Sequence, residues 1–430
     1  MKTFSRRNFL QRCAALSALA TASRKVPAWA SQKGINERLN VAVIGPWNRG
    51  HASLHAMLKE NVRAICDVEE SYLQKAGEMA PKAEKFQDYR KLLETIHDLD
   101  GICVCTPDHT HAAPSIQAMR QGIHCYCEKP LAHNVQECRW MEEIAAEKKL
   151  VTQMGTQIHA GENYRQVVEL VQSGAIGTVE EVHVWFGGSW SLPADVQRPE
   201  ETPPVPATLD WENWIGPAPM RPYHPCYVPG KWRRWWAFGN GTMGDMACHY
   251  IDLPFWALGL KNCLSAEAID PVPVNAEGAP SSLEIRFTFP NLTLTWYDGG
   301  RRPALLKEKN IPDRHAGVLF VGKEGILFAD YTTHQLYPEE KFADFQAPEP
   351  WIPRSIGHHA EWLQAIRDNR PDATTCPFAY SGRLTETVLL GTVAFRAGGK
   401  IVWDADALQI TNLPAANPLL TRQYRPGWEL

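Results

Sequence analysis

The chain has 430 residues, of which 44% are hydrophobic and 21% are charged, and its formal net charge is −4. This length predicts two domains, each with a full-sized core. The composition excludes a disordered or collagen-like protein, the lack of an apolar run of about 18 residues excludes a membrane channel, and the negative charge speaks against a nucleic-acid binder.

Residues 1–30 are predicted to form a signal peptide. Arg6-Arg7 precedes a modest apolar stretch at 14–22 and a small-x-small pattern at 28–30 that suits signal peptidase. Tandem arginines at this position resemble the twin-arginine export signal, which carries folded proteins across a membrane. We therefore expect an acidic mature protein that is periplasmic or secreted and that has no further contact with the membrane. The alternative is a basic, poorly ordered N-terminus.

Ten of the 11 cysteines follow this segment, and they are predicted to form neither a disulfide framework nor a zinc site. Cys103 and Cys105 are spaced C-x-C in an apolar run, as are Cys125 and Cys127. In a strand this spacing puts both members of a pair on one face, where a thiol behaves as a small hydrophobic group.

Residues 38–157 show an alternating pattern of strands and helices. Short apolar or β-rich runs at 39–44, 62–66, 101–105, 124–127 and 151–154 are predicted strands. Helical stretches such as 135–150 separate them, with apolar residues at spacings of three and four. This order predicts an α/β domain with a doubly wound parallel sheet that carries helices on both faces.

Residues 158–430 show a different sequence pattern and are predicted to form a second domain. Strand-like runs at 179–185, 282–289, 292–297, 318–321 and 326–329 predict an open, largely antiparallel sheet. Helices are predicted at 162–172, 357–369 and 383–397. The proline-rich stretch 193–229 is too aromatic for a flexible linker, so it is predicted to be an ordered loop that wraps the protein.

The turn at 45–50, between the first predicted strand and a helix, has the position of a dinucleotide-binding fingerprint. Gly45 allows the tight turn, Gly50 allows close helix contact, and the helix N-terminus offers N–H groups to a pyrophosphate. Asp67 ends the second strand, where it would accept bonds from ribose hydroxyls and repel a 2′-phosphate, which favours NAD over NADP. Trp47 stands where a second glycine is usual. A plain turn between strand and helix is the alternative.

Lys129 lies in the segment Glu128-Lys129-Pro130 that follows the predicted strand at 124–127, at the sheet edge where ligands bind. An ammonium there could stabilise an alkoxide that forms on a substrate. Asp245 and His249 lie four residues apart in a predicted helix, close enough for the carboxylate to orient the imidazole, which could then accept a hydroxyl proton. A metal site formed by Asp245, His249 and Asp252 is a further possibility, although we expect no metal.

These motifs resemble those of the Gfo/Idh/MocA oxidoreductase family over essentially all of residues 38–410. The matching segments are Gly45 to Gly50 with Asp67, Thr106-Pro107-Asp108-His109-Thr110-His111, Glu128-Lys129-Pro130, Met154-Gly155-Thr156-Gln157, and Asp245 with His249. The resemblance implies an N-terminal Rossmann domain at 38–157 and a C-terminal α/β domain at 158–430 that supports the substrate site and often an oligomer interface. It also implies a cis Lys129–Pro130 bond.

The resemblance further implies which residues act in the site. Lys129, Asp245 and His249 are the implied catalytic residues. The residues expected to contact NAD are Gly45, Trp47, Asn48, Arg49, Gly50, Asp67, Thr106, Pro107, His109, His111, Glu128, Lys129 and Gln157, with Glu128 near the nicotinamide ribose. Members of the family act on sugars, inositols and related polyols.

Tryptophans are concentrated around the predicted catalytic helix, with eight of the 16 between residues 185 and 256. Flat indoles suit the apolar faces of sugar rings. We expect two or three of the eight to line the cleft and the others to be structural.

Three functional hypotheses follow. The first is a periplasmic homo-oligomer that retains NAD and oxidises a ring hydroxyl, such as that at C3, of a saccharide or glycoside. The second uses the same oxidation to eliminate an aglycone, so that the glycoside is cleaved with no net oxidation. The third is a sugar-binding protein in which Trp47 closes the cofactor turn.

Overall fold

The computed structural model describes residues 37–430. The predicted signal peptide at 1–30 lies outside the described residues. Within residues 37–430, no helix is both long enough and apolar enough to cross a membrane.

The N-terminal domain contains a six-stranded parallel sheet with the strand order β3-β2-β1-β4-β5-β6. The strands are β1 Asn40–Ile44, β2 Asn61–Cys66, β3 Glu84–Phe86, β4 Gly101–Val104, β5 His124–Cys127 and β6 Thr152–Met154. The helices between them are α1 Gly50–Met57, α2 Glu70–Met79, α3 Tyr89–Thr95, α4 Ala112–Arg120 and α5 Val135–Lys148. The predicted doubly wound sheet is confirmed. Strand β3, a three-residue edge strand, was not predicted from the sequence.

Alternate residues of β1 show how both faces of this sheet become buried. Ala42 and Ile44 pack in one hydrophobic cluster, and Val41 and Val43 pack in another on the opposite face. A parallel sheet covered on both faces needs apolar side chains at nearly every position, so its strands appear in the sequence as continuous apolar runs.

The C-terminal domain contains a nine-stranded sheet with the order β13-β12-β11-β7-β10-β9-β8-β14-β15. Its strands are β7 Val179–Phe186, β8 Ser265–Ala268, β9 Glu284–Phe289, β10 Leu292–Tyr297, β11 Ala316–Gly322, β12 Ile326–Ala329, β13 His334–Tyr337, β14 Ile401–Asp404 and β15 Gln409–Ile410. Neighbouring strands pair antiparallel except β7 and β10, which are parallel. The largely antiparallel sheet is therefore confirmed.

The helices of this domain are α6 Glu162–Gln172, α7 Trp211–Ile215, α8 Cys248–Tyr250, α9 Asp252–Ala257, α10 Leu305–Glu308, α11 His358–Arg367 and α12 Phe378–Ala397, with a π-helical segment at Met243–Ala247. Helix α12 begins five residues before its predicted start at 383. It is buried along most of its length, so no polar face marks where it begins.

The proline-rich stretch is ordered, as expected, and it contacts the N-terminal domain next to β2. The backbone N–H of Glu70 donates to the carbonyl of Thr208 (2.8 Å), and that of Asp210 donates to the carbonyl of Val68 (2.9 Å). Aromatic side chains beyond these contacts form a separate hydrophobic cluster. The stretch therefore joins the two domains and forms one wall of the space between them.

Candidate active site

A cleft of about 670 Å³ lies beside the carboxyl ends of β1, β2, β4 and β5. Strand β1 lies between β2 and β4, so the order of the sheet reverses at this point, which is where open α/β sheets bind ligands. Asp67 lines one end of the cleft, and Asp108, Lys129 and Arg233 line the other.

The turn between β1 and α1 requires its two glycines. Gly45 has a φ of +76°, and a Cβ on it would lie 2.7 Å from the carbonyl oxygen of Cys105. A Cβ on Gly50 would lie 1.8 Å from the carbonyl oxygen of Gly45. Asn48 takes the other left-handed position of the turn, with a φ of 53°. Trp47 forms part of the cleft wall and packs edge-on against His51 at 5.3 Å between ring centroids.

Replacing Gly50 with alanine should weaken NAD binding by about tenfold or more, because the new methyl group displaces the turn that faces the pyrophosphate. Titration of protein fluorescence with NAD measures the effect. Gly399→Ala is the matched control, since a Cβ at Gly399 meets nothing within 4 Å. Equal NAD affinity in a folded Gly50→Ala protein would contradict this role of the turn.

Asp67 lies directly after β2 and lines the cleft. Its Oδ1 accepts one hydrogen bond, from the backbone N–H of Glu69 (3.0 Å). Burial, helped by the neighbouring Glu69 carboxylate, raises the pKa of Asp67 to about 7. A desolvated carboxylate with free lone pairs suits the two hydroxyls of a ribose, and a second carboxylate beside it disfavours a phosphate.

Two buried polar atoms at the far end of the cleft have no hydrogen-bond partner, namely Thr106 Oγ1 and Glu128 Oε2. The other Glu128 oxygen bonds to Arg49 (3.1 Å), whose Nη2 also donates to Gln157 Oε1 (3.1 Å). Unpartnered polar atoms here suit the hydroxyl and amide groups of a nicotinamide riboside. With the glycine turn and Asp67, the residues present fit a dinucleotide.

Three of the predicted cofactor contacts, Gly50, His109 and Gln157, do not line the cleft. Gly50 lies behind the turn, against the carbonyl of Gly45. His109 Nε2 lies 2.9 Å from the carbonyl oxygen of Trp214, and its ring packs against Trp214 and Phe238 at 5.0 Å each. Gln157 reaches the cleft only through its bond to Arg49. His111 does line the cleft, but its two ring nitrogens lie 2.7 and 2.8 Å from backbone carbonyl oxygens. The aromatic loop wall holds His109 in place, and the sequence motif did not reveal this.

Asp245 lies in the π-helical segment, and its carboxylate is bound from three sides. Lys129 Nζ lies 2.6 Å from Oδ1, Arg233 Nε lies 3.1 Å from the same oxygen, and Trp190 Nε1 donates to Oδ2 (2.7 Å). Although burial opposes it, the two cations lower the pKa of Asp245, so it is ionised at neutral pH. The Lys129–Pro130 peptide is cis, as the family resemblance implied.

The expected hydrogen bond between Asp245 and His249 does not form. Instead, His249 Nδ1 lies 3.2 Å from Thr156 Oγ1, and the Asp245 oxygens bond to Lys129, Arg233 and Trp190. Burial, followed by the charge of Lys129, holds the pKa of His249 well below its usual value. The imidazole is therefore neutral and able to accept a proton, but it does not itself line the cleft.

Asp252 does not join Asp245 and His249 in a metal site. It accepts from His159 Nδ1 (2.9 Å) and from the Tyr380 hydroxyl (2.7 Å). In the part of the chain that the structure describes, the cysteines are free thiols.

The structure also shows which tryptophans face the cleft. Of the eight between residues 185 and 256, Trp214 and Trp232 line it, and Trp190 holds Asp245. The other five lie in the core or in the aromatic cluster, as expected. Trp428, near the chain's end, also lines the cleft.

Comparison with protein families gives matches across both domains. Residues 39–156 match the Gfo/Idh/MocA family described as "Oxidoreductase family, NAD-binding Rossmann fold". Residues 160–430 match the corresponding description "Oxidoreductase family, C-terminal alpha/beta domain".

Similar proteins include sugar-active enzymes. A levoglucosan dehydrogenase of Pseudarthrobacter phenanthrenivorans is 24% identical over 46% of this chain, and a glycosyl hydrolase family 109 protein of Shewanella baltica is 28% identical over 41% of it. Each match spans only 44% of the relative's own length. The WlbA dehydrogenase of Chromobacterium violaceum, solved with NADH and UDP-GlcNAcA, has a similar fold, with a TM-score of 0.62, 16% identity and coverage of 87% of this chain and 98% of that one.

Proposed function

The chain belongs to the Gfo/Idh/MocA oxidoreductase family and has an NAD-binding Rossmann domain, and on that premise we propose that it oxidises a ring hydroxyl of a saccharide or glycoside. The observation that carries the proposal is the pairing of Lys129 with Asp245 in a cleft whose other end has the glycine turn and Asp67. Indoles of Trp214 and Trp232 supply flat apolar surface for a sugar ring.

Each side chain has a distinct task in this proposal. Lys129 donates to the reacting oxygen and stabilises the negative charge that develops on it. His249 is neutral and is the first candidate acceptor of the hydroxyl proton, with Thr156 setting its orientation, although it does not itself line the cleft. When bound, NAD supplies the two-electron oxidant that takes a hydride from the hydroxyl-bearing carbon. Asp108 is the competing proton acceptor, because its carboxyl lines the cleft near Lys129.

A second candidate function is cleavage of a glycoside with no net oxidation, which the similarity to family 109 glycosyl hydrolases favours. Oxidation at C3 would acidify the C–H bond at C2, so that loss of that proton and of the aglycone leaves a C1=C2 double bond. Addition of water to that bond and return of the hydride to C3 would then give the free sugar. Both functions need the same residues and the same cofactor site.

The product distinguishes the two candidates. The purified protein would be incubated with NAD and a 4-nitrophenyl N-acetylgalactosaminide or glucoside, while absorbance of reduced cofactor and of released nitrophenol is followed. Keto-sugar with stoichiometric reduced cofactor supports net oxidation. Free nitrophenol with unoxidised sugar supports cleavage. Neither product from a panel of glycosides and free sugars would contradict both.

We propose that the protein is exported to the periplasm through the twin-arginine route, which would allow it to cross the membrane folded and with its cofactor bound. Exchange of Arg6 and Arg7 for lysine should retain the full-length chain in the cytoplasmic fraction, because the tandem arginines are the element of the signal that is read. Cell fractionation and blotting measure this. Unchanged export of the double variant would contradict the proposed route.

We also propose a homo-oligomer that forms through the outer face of the nine-stranded sheet. Glu181 and Arg286 are exposed on that face, which is only partly covered by other elements. Light scattering should give a mass that is a multiple of the 48.3 kDa chain, corrected for signal removal. A monomer mass would contradict the proposal.

A further inference from the structure

A second cavity of about 240 Å³ lies on the other side of the catalytic segment and shares no lining residue with the cleft. It is enclosed by the start of α5, the segment 219–240, the C-terminal half of α12 and the chain at 419–422. Asn240 lines it, five residues before Asp245, and its Nδ2 donates to the carbonyl of His133 (3.1 Å).

The lining of this cavity is strongly basic. Four arginines line it, and Glu277 is the one carboxylate among the described lining residues. The arginines are Arg198, Arg221, Arg396 and Arg422. Glu277 lies 2.7 Å from Arg198 and 3.5 Å from Arg221, so its charge is shared between two cations. The positive charge therefore exceeds the negative charge that faces it.

Arg396 contributes most to this excess. No ion pair of Arg396 is found with the described residues, and its guanidinium carbon lies 5.3 Å from the centroid of the Trp236 ring. Burial lowers its pKa, but a guanidinium stays charged at any physiological pH. A half-buried cation without a carboxylate partner is costly, and a bound anion would offset that cost.

The cavity also offers hydrogen-bond groups that nothing in the chain uses. Asn134 and Thr392 are 5% and 2% exposed, and neither Asn134 Nδ2 nor Thr392 Oγ1 has a partner. Arg422 Nη1 is likewise unpartnered, although the rest of its guanidinium binds Glu137 outside the cavity. Asn134 caps the N-terminus of α5, where backbone N–H groups and the helix dipole also favour an anion.

We propose that this cavity is a binding site for a small oxyanion that carries phosphate or carboxylate groups. The ligand's oxygens would pair with Arg396 and accept from the side chains of Asn134 and Thr392. The volume of the cavity suits a phosphate or a short dicarboxylate and is too small for a dinucleotide. Because Asn240 lies in the wall, an occupied cavity would hold the start of the catalytic segment in place.

The test is thermal unfolding of the full protein, kept saturated with NAD, in rising concentrations of inorganic phosphate or of malonate against sodium chloride at matched ionic strength. Phosphate or malonate should raise the melting temperature by a few degrees in a saturable way, and chloride should not. The anion that gives half of its maximal shift in melting temperature at the lower concentration is the preferred ligand. Saturating NAD blocks the pyrophosphate turn, so a phosphate effect that is seen only in a parallel run without NAD would place the anion there and overturn the proposal.

Variants locate the effect. Arg396→Gln removes the unpaired cation and should abolish the shift, and Thr392→Val keeps every charge and should raise the anion midpoint severalfold. Arg370→Gln is the matched control, since Arg370 is exposed and pairs with Asp372 (2.9 Å) on the surface. A shift that survives in Arg396→Gln, or that is absent from the wild-type protein, would overturn the proposal. Neither result depends on the sugar chemistry proposed for the cleft.

Discussion

Lys129→Met should lower kcat/KM by about 10²–10³ while leaving the fold close to that of the wild-type protein. The loss follows from removing a positive charge that faces the developing alkoxide in a site largely closed to water. The fold should survive because Asp245 keeps two of its donors, Arg233 at 3.1 Å and Trp190 at 2.7 Å. Steady-state kinetics, circular dichroism and an NAD titration together measure the effect.

A matched control separates this role from the general loss of a lysine. Lys91 is exposed and pairs only with Glu94, one turn along the same helix, so Lys91→Met should leave kinetics and NAD affinity unchanged. Near-wild-type turnover in Lys129→Met would contradict the proposed active site. Loss of folding in that variant would show instead that the Lys129 ammonium is needed to balance the charge of the buried Asp245 carboxylate.

Buried parallel strands could be predicted from the sequence because burial on both faces demands apolar residues at every position. All four residues of β4 are buried, and its predicted bounds differ from the observed ones by one residue. Strand β3 has two exposed residues of three, so no apolar run marks it. Strands β8, β13, β14 and β15 were not predicted because they have only two to four residues each, too few for a strand pattern to stand out.

The site could be predicted where it depends on position along a strand and not where it depends on contacts between distant segments. Asp67 and Lys129 lie within two residues of the ends of β2 and β5, so the topology alone brings them to one sheet edge. Trp190 lies 55 residues before its partner Asp245, and no spacing rule connects the two. The second cavity forms where six separated segments meet, so it leaves no local signature.

Asp245 illustrates how a correct local rule gives an incomplete site. A spacing of four residues does place two side chains on neighbouring parts of a helix surface. Which partner a carboxylate takes depends on every donor within reach, and Asp245 is reached by two cations and an indole from other segments. A neutral imidazole binds the Asp245 carboxylate less strongly than those cations do. His249 therefore contacts the Thr156 hydroxyl instead.

His249→Asn should lower kcat by about 10²–10³ without loss of NAD affinity, because a general base contributes roughly that much to proton transfer. Burial and the charge of Lys129 both lower the pKa of His249, so the wild-type imidazole stays neutral as the pH falls through 6.5. The rate of the wild-type protein should therefore decline only at lower pH than for an ordinary histidine. His97→Asn, at an exposed site, is the control.

The same pH profile decides between the two candidate proton acceptors. Burial, reinforced by the neighbouring Asp245 charge, raises the pKa of Asp108 to about 7, so activity that depended on its carboxylate would be lost as the pH falls through 7. A limb near pH 7 that disappears in Asp108→Asn would assign the base to Asp108, which lines the cleft. The alternative result is a loss of rate below pH 6.5 that shifts to higher pH in the residual activity of Lys129→Met. This would assign the base to His249, because removing the Lys129 charge relieves one of the two causes that lower the pKa of His249.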